Sequence, residues 1–190
     1  MVPSRILHTL AMAAFSLLIG HPAFAQTPPS QADAKKAAAR AAQLYVDAIC
    51  GETFVKVDPA KVVALVPWDA KHDRSEATYA VLWSGDLGAT GGSGSTAAYI
   101  TIVTVCMGDT FVVEPTRSSP VINYEAPVRG IERIISSTKD SMTLEGLTLG
   151  PNDPNCCPSI RNRFTLKLDA NGNWARFSAK ANDKPSKVKR

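Results

Sequence analysis

The sequence predicts an α+β domain in which one N-terminal amphipathic helix packs on a mostly antiparallel β-sheet. Three observations predict this fold class. An alanine-rich stretch with helical periodicity comes first, and runs of β-prone residues separated by turn signals follow it. Near the end, Asn171-Gly172 is the pair most typical of tight β-hairpin turns.

Residues 1–25 have the features of a cleaved export signal. Arg5 supplies a positive charge, Leu10–Ile19 is a short apolar core, and Ala23-Phe24-Ala25 matches the small-x-small rule for cleavage before Gln26. The apolar core is shorter than the roughly 18 residues that a membrane span needs. We therefore expect a periplasmic or secreted protein with no membrane span.

The predicted domain covers residues 26–178, and residues 179–190 are predicted to form a basic, disordered tail. The chain has 21 Lys and Arg against 17 Asp and Glu, a formal net charge of +4. This excess is mild, so we expect no nucleic-acid partner. We also expect the protein to be a monomer. A contact between the tail and an anionic lipid or peptidoglycan polymer is an alternative to a solvated tail.

The predicted helix runs from Gln31 to Ile49. Ser30 is in position to cap it, with Asp33 three residues later as an acidic variant of the capping box, and Gly51 is a natural stop. Its apolar positions recur at three- and four-residue steps, at Ala34, Ala37, Ala38, Ala41, Leu44, Tyr45 and Ile49. We expect this face to lie on the domain's own sheet; the alternative is a helix that binds a partner.

The central element of the predicted sheet is a pair of β-prone runs, Ala77–Trp83 and Ala97–Cys106, joined by a loop rich in glycine and serine. The second run is almost continuously apolar, as is typical of a central strand covered on both faces. The loop lacks the G-K-[ST] of a P-loop, and a β-run follows it where a nucleotide site would need a helix. We therefore expect no nucleotide cofactor.

The other predicted strands are shorter. Thr53–Val57 alternates as a strand, and Ala60–Val66 is either a helical turn capped by Asp58 or a further strand, ended by Pro67. The remaining predicted strands are Thr110–Glu114, Val128–Ser136, Ser141–Leu149, Arg163–Leu168 and Trp174–Ser178.

All four cysteines, Cys50, Cys106, Cys156 and Cys157, lie in the exported part of the chain, where an oxidising compartment favours disulfides. A bond between adjacent cysteines needs a strained ring. We therefore expect the tandem pair to split, with one partner bonded to Cys50 and one to Cys106. A redox centre or a soft-metal site is the functional alternative, although no Cys-x-x-Cys at a helix start is present.

Histidine chemistry depends on His72, because His8 and His21 leave with the signal. One histidine cannot supply the pair that zinc sites commonly use, and a Ser-His-Asp triad would have to use His72 in a polar loop. We expect a surface histidine and no catalytic, cofactor or metal site.

Two acidic loops resemble calcium loops, Asp69–Asp73 and Asp169–Asn173, but neither has the full ligand pattern. The second is better explained as a hairpin turn. Trp68, Trp83 and Trp174 are candidates for sugar stacking, although isolated tryptophans in strands are more often core residues.

Three elements of the chain resemble a group of uncharacterised exported bacterial proteins. They are a strand like D-A-A-V-I-L at Ala77–Trp83, the G-G-S-G at Gly91–Gly94, and G-P-N-D-P-x-C-C-P at Gly150–Pro158. The Cys-Cys-Pro-Ser element also resembles LppP/LprE-type lipoproteins. Unlike those relatives, this chain has Lys71 in the place of an aspartate-rich segment and offers no cysteine for lipidation. The resemblance implies an envelope location and no established activity.

We predict a non-enzymatic envelope protein that binds a protein or an envelope component, without a cofactor. A small hydrolase using carboxylates such as Asp109, Glu114 and Glu132 is an alternative, provided the fold brings two of them together. A purely structural envelope protein is the third alternative.

Overall fold

The computed structural model describes residues 27–50, 55–87, 96–107, 109–177 and 186–187. The described chain contains one α-helix, α1 (Gln31–Cys50), followed by strands. These are β1 (Val62–Val66), β2 (Thr78–Gly85), β3 (Ala97–Cys106), β4 (Thr110–Val113), β5 (Gly130–Thr138), β6 (Ser141–Thr148), β7 (Ile160–Leu168), β8 (Trp174–Phe177) and β9 (Ser186–Lys187). The predicted signal peptide, the stop at Gly51, the glycine loop from 88 to 95 and most of the tail lie outside the described residues. The prediction of a mixed, mostly antiparallel α+β fold is confirmed.

The strands form two sheets, where the sequence predicted one. The first sheet has the order β1-β2-β3-β4 and the second the order β5-β6-β7-β8, and every neighbouring pair is antiparallel. Each sheet is therefore a simple meander. The short β9 pairs with the start of β7, so two residues of the predicted tail lie against the second sheet.

Alternation along β2 divides the interior into two clusters. Tyr79, Val81 and Trp83 point to one side and Ala80 and Leu82 to the other. We call the first side the helix-side cluster, because it also contains the buried residues of α1. The second side is the intersheet cluster, which includes buried residues of the second sheet. Its members from that sheet are Ile131, Met142, Leu144, Phe164, Leu166 and Trp174. Both faces of the first sheet therefore carry buried side chains.

The sequence prediction for β3 is confirmed. Val103 and Val105 lie in the helix-side cluster, whereas Ile100 and Ile102 lie in the intersheet cluster. Because both faces are buried, neither set of alternating positions can be polar, and the strand reads as an unbroken apolar run.

The N-terminus of α1 is capped as predicted. The backbone N–H of Asp33 donates to Ser30 Oγ at 3.1 Å, and the Ser30 hydroxyl donates to the Asp33 carboxylate at 2.6 Å. The predicted buried face is wrong in part, since Leu44 is 74% exposed. The buried positions are Ala34, Ala38, Ala39, Ala42, Val46 and Cys50. An alanine-rich helix is apolar on most sides, so periodicity alone leaves its rotation poorly defined.

Residues 55–57 do not form the predicted strand. The side chain of Gln43 takes the place of a strand partner: its Nε2 donates to the Val55 carbonyl at 2.7 Å, and its Oε1 accepts from Val57 N at 2.8 Å. Further on, Asp58 caps a 3-10 turn, Pro59–Lys61, and β1 follows directly. Both predicted alternatives for this stretch, a helical turn capped by Asp58 and a strand, therefore occur, one after the other.

The segment after β4 continues the edge of the first sheet through two buried serines. Ile102 N donates to Ser118 Oγ at 2.9 Å, and Ile100 N donates to Ser119 Oγ at 3.2 Å. Ser119 N also donates to the Ile100 carbonyl at 2.8 Å. Side-chain hydroxyls therefore satisfy backbone groups of β3 where β4 has ended.

Two glycines are required by the geometry of the second sheet. At Gly146 a Cβ would clash with the carbonyl oxygen of Gly130 beside a bulge in β5. Gly172 has φ +84°, as the predicted hairpin turn between β7 and β8 requires. No helix in the described part of the chain is long and apolar enough to cross a membrane.

Candidate functional site

The three carboxylates of the hydrolase alternative do not converge on one another. Asp109, Glu114 and Glu132 form ion pairs with three different arginines. These pairs are Asp109–Arg74 at 2.9 Å, Glu114–Arg117 at 2.9 Å and Glu132–Arg161 at 3.2 Å. Each of these carboxylates therefore faces a guanidinium, and no two of the three form the converging pair that the hydrolase alternative needs.

His72 lies in a polar cavity of about 480 Å³ lined by residues 68–74 and Pro28. Asp69 Oδ1 lies 2.9 Å from His72 Nδ1 and also accepts the backbone N–H groups of Lys71 and His72. The first of these backbone bonds is the main reason that the pKa of Asp69 lies below its ordinary value. The described residues place no hydroxyl nucleophile at His72, so the triad geometry is not assembled here.

In each of the two acidic loops, the first aspartate stabilises the turn by accepting backbone N–H groups of the same loop. Asp169 Oδ1 accepts the backbone N–H groups of Asn171 and Asn173, each at 2.8 Å, within the predicted hairpin turn. These bonds, Asn173 first, hold the pKa of Asp169 below its ordinary value. Among the residues that the structure describes, no group of three or more His, Cys, Asp or Glu is placed to hold a metal ion.

The three tryptophans are buried and present no sugar-stacking surface. Trp68, Trp83 and Trp174 are each at most 5% exposed. Trp83 Nε1 donates to Thr101 Oγ1 at 3.0 Å, which satisfies the indole in the interior. Their interpretation as core residues is confirmed.

The predicted disulfide scheme is wrong. Cys156 and Cys157 are bonded to each other in an exposed turn, so neither is bonded to Cys50 or Cys106. Cys50 is buried at the end of α1, and Cys106 is exposed at the end of β3. The structure therefore shows no disulfide between the turn that holds Cys156 and Cys157 and either α1 or β3.

The carboxylate of Asp153 stabilises the turn from Gly150 to Ser159, for which long-range disulfides were predicted. Asp153 Oδ2 accepts the backbone N–H groups of Gly150 and Ser159 at 2.8 and 2.7 Å, and Asp153 Oδ1 accepts the Ser159 hydroxyl at 2.8 Å. The base of the turn is therefore closed by hydrogen bonds to one charged side chain.

The most distinctive charged cluster lies on the outer face of the second sheet, around Glu145. Strand register brings Arg133 of β5 and Arg163 of β7 opposite Glu145 of β6, so three charged residues form a row across three strands. The neighbours Met142 and Leu144 point into the intersheet cluster. Because side chains alternate along a strand, Glu145 must point outward.

Glu145 forms ion pairs with three guanidinium groups. Its Oε2 lies 3.1 Å from Arg163 Nη2 and 3.3 Å from Arg133 Nη2, and its Oε1 lies 3.4 Å from Arg161 Nε. The hydrogen bond from Arg163, followed by that from Arg133, holds the pKa of Glu145 below its ordinary value. The carboxylate side chain is only 8% exposed, whereas the three arginine side chains are 43–63% exposed. The arginines cover the carboxylate and present their remaining N–H groups to solvent.

Glu132 completes the cluster. A bulge between Ile131 and Arg133 leaves Glu132 and Arg133 both exposed although they are adjacent in sequence. The Glu132 carboxylate forms an ion pair with Arg161, and the backbone carbonyl of Glu132 accepts a hydrogen bond from Lys61 Nζ. We call Glu132, Arg133, Glu145, Arg161 and Arg163 the arginine face.

The positive charge continues along β7. Arg161, Arg163, Thr165 and Lys167 are alternate residues and so lie on one side of the strand, about 7 Å apart. Lys167 Nζ lies 3.9 Å from the ring centroid of Phe177, which is 45% exposed on β8. This end of the face combines a cation with an accessible aromatic ring.

Sequence reasoning missed the arginine face. The signal was the alternation Arg-x-Arg-x-Thr-x-Lys from residue 161, but the predicted strand began at Arg163 and so did not include Arg161. Glu145 carried no signal of its own, because only the register of three strands brings the arginines to it.

Comparisons of the chain with protein-family models, with curated proteins and with solved structures give no match. Its function therefore has to be inferred from its own residues and their geometry.

Proposed function

We propose that this protein is an exported binding module that recognises an anionic component of the bacterial envelope through the arginine face. The observation that carries the proposal is the convergence of three exposed guanidinium groups on one buried carboxylate. The carboxylate fixes the arginines in place, so less side-chain entropy is lost when they bind a ligand.

The charge of the surface supports an anionic ligand. Four cations, Arg133, Arg161, Arg163 and Lys167, share the outer side of the sheet with two carboxylates, Glu132 and Glu145. Guanidinium groups bind carboxylate and phosphate oxygens with two parallel hydrogen bonds, which favours them over lysine at such sites. A uronate, phosphate or similar group of an envelope polymer fits this chemistry.

Export is part of the proposal and rests on the sequence. Arg5, the apolar run Leu10–Ile19 and the small residues Ala23 and Ala25 support cleavage before Gln26 and a periplasmic or secreted location. The resemblance of the Gly150–Pro158 element to exported bacterial proteins supports the same compartment.

The proposal also includes α1 as a permanent layer of the domain, docked on the first sheet. Its support is the burial of small helix residues beside Tyr79 and Trp83 in the helix-side cluster. Two hydrogen bonds add to this, from Gln31 Nε2 to the Trp68 carbonyl and from Tyr45 Oη to the Ser119 carbonyl, each at 2.9 Å. A docked helix leaves the opposite sheet free to bind.

Co-sedimentation of the mature protein with purified lipopolysaccharide and with peptidoglycan sacculi tests the ligand class. The double variant Arg161→Gln/Arg163→Gln should lose binding about tenfold or more. The matched control, Lys56→Gln/Lys71→Gln, removes the same charge from exposed positions elsewhere and should bind like the wild type. Binding should also weaken as salt is raised, because exposed charges are screened.

The proposal fails if neither preparation sediments the protein at low salt. It also fails if both double variants lose binding equally, since that outcome would indicate attraction by net charge alone. Thermal melts of each variant establish that the comparison is between folded proteins.

A further inference from the structure

The turn between β6 and β7 carries a disulfide that reagents in solution can reach. Cys156 and Cys157 are bonded to each other, and both residues are exposed. Among the described residues, neither cysteine belongs to the helix-side cluster or to the intersheet cluster. A thiol can therefore approach this bond without any opening of the interior, and such access is one condition for exchange with a disulfide.

The turn that carries the disulfide is held by other bonds. Asp153 closes its base through hydrogen bonds with Gly150 and Ser159. Within the turn, Asp153 N donates to the Gly150 carbonyl at 3.1 Å, and Cys157 N donates to the Pro154 carbonyl at 2.9 Å. None of these hydrogen bonds uses a sulfur atom. Opening of the disulfide therefore leaves the hydrogen bonds of the turn in place.

The fold gives this disulfide little protection against reduction. The free energy by which a disulfide stabilises the folded state equals the free energy by which folding stabilises the disulfide, because the two equilibria are linked. A bond between adjacent residues closes a minimal loop, so its contribution to folding is small. Structural disulfides resist reduction by glutathione, whereas exposed disulfides are the labile or catalytic ones. The Cys156–Cys157 bond belongs to the second class.

We propose that Cys156 and Cys157 form a reversible redox site that exchanges with small thiols. The thiolate of a small thiol attacks one sulfur and forms a mixed disulfide, and the other cysteine leaves as a thiolate and takes up a proton. A second small thiol then attacks the mixed disulfide and releases the remaining cysteine. In total, two small thiols are oxidised to one disulfide, and the protein disulfide gains two electrons and two protons to become a dithiol.

Glutathione buffers measure the redox equilibrium of this pair. The mature protein is equilibrated at neutral pH in mixtures of reduced and oxidised glutathione, quenched with acid, alkylated with N-ethylmaleimide and digested with trypsin. The peptide Asp140–Arg161 contains Cys156, Cys157 and no other cysteine, so its mass reports this pair alone. With about 10 mM reduced and about 0.1 mM oxidised glutathione, at least half of the pair should be dithiol, whereas a structural disulfide would stay almost fully oxidised.

A synthetic peptide with the sequence of Asp140–Arg161 is the matched control for the effect of the fold. Its equilibrium constant with glutathione should lie within about fivefold of the constant for the protein, because folding adds little to the stability of the bond. The protein should be reduced no more than about tenfold more slowly than the peptide, since the bond is already exposed in the folded state. Circular dichroism of the reduced protein should match that of the oxidised protein.

The inference is overturned if less than half of the pair is reduced in that buffer, or if the protein is reduced more than about tenfold more slowly than the peptide. It is also overturned if the pair stays a dithiol in oxidised glutathione alone, because the couple would then not be reversible. A glutathione adduct on one cysteine is the intermediate of the exchange and would support the inference. None of these measurements uses an envelope ligand, so their outcome is independent of the arginine face.

Discussion

At the scale of single residues, two tyrosine hydroxyls lie in the interior in opposite circumstances. Tyr79 Oη accepts the backbone N–H of Trp68 at 3.0 Å. Tyr124 Oη is buried and, within the described part of the chain, is the side-chain polar atom left without a hydrogen-bond partner. Burial raises the pKa of both phenols above the ordinary value.

The two tyrosines should respond differently to loss of the hydroxyl. Tyr124→Phe removes a buried group with no partner and should raise the free energy of unfolding by on the order of 1 kcal/mol. Tyr79→Phe leaves Trp68 N without its acceptor and should lower that free energy by about 1–3 kcal/mol. Urea denaturation of both variants measures the difference. A loss of stability in Tyr124→Phe would show that its hydroxyl has a partner, such as a buried water.

At the scale of elements, the turn Gly150–Ser159 depends on Asp153 and not on covalent links to distant strands. Its disulfide joins neighbours in sequence. A bond between adjacent residues closes a minimal loop and removes little entropy from the unfolded chain.

Opening this disulfide should therefore change stability little. We expect reduction of the Cys156–Cys157 bond to alter the free energy of unfolding by less than about 1 kcal/mol. Trypsin cannot cleave between Asp140 and Arg161, so the unreduced peptide should appear unlinked and lighter than the dithiol by two hydrogens. A cross-linked species containing the Cys50 or Cys106 peptide would contradict this pairing and restore the long-range scheme.

The helix offers a second prediction at this scale, because its buried positions are small residues. Ala42 is fully buried in the helix-side cluster. Ala42→Leu should overpack this contact and cost about 1–3 kcal/mol of stability. Ala48→Leu is the control on the same helix: Ala48 is exposed, and leucine has nearly the same helix propensity as alanine. Equal stability of the two variants in thermal melts would argue against a docked helix.

At the scale of the whole molecule, four carboxylates make the free energy of unfolding depend on pH. They lie in the helix, in two loops and in the second sheet. The pKa values of Asp33, Asp69, Glu145 and Asp169 all lie below their ordinary values, which are 3.8 for aspartate and 4.5 for glutamate. The principal causes are hydrogen bonds from Ser30, from Lys71 N, from Arg163 and from Asn173 N, respectively.

The sign of the pH dependence follows from these shifts. A carboxyl group with a lower pKa in the folded state stabilises the fold above its unfolded pKa, and this contribution is lost as the pH falls through the folded pKa. The free energy of unfolding should therefore be level above about pH 5 and decrease below about pH 4. Urea denaturation from pH 7 to pH 2.5 measures the curve.

Glu145→Gln serves as the control for this curve. The variant should be less stable than the wild type at pH 7, because the amide cannot pair with three arginines, and its stability should depend less steeply on pH below about pH 4. Identical slopes for the two proteins would show that the arginine face contributes nothing to acid sensitivity.

The sequence by itself determined the local elements of this protein. The cap at Ser30, the continuous apolar run of β3 and the Asn171-Gly172 hairpin were all predicted where the structure has them. Each depends on groups within a few residues of one another. Periodicity, capping and turn chemistry therefore report them directly.

Only the tertiary structure decided which distant groups meet. The division into two sheets, the exposure of Leu44, the closure of the tandem cysteines and the three arginines around Glu145 depend on how elements pack and on strand register. An alanine-rich helix can present several faces, and four cysteines can pair in several ways. The pairing of Glu145 with arginines on the neighbouring strands leaves no trace in sequence spacing, because these residues are brought together by hydrogen bonds between backbones and not by their order in the chain.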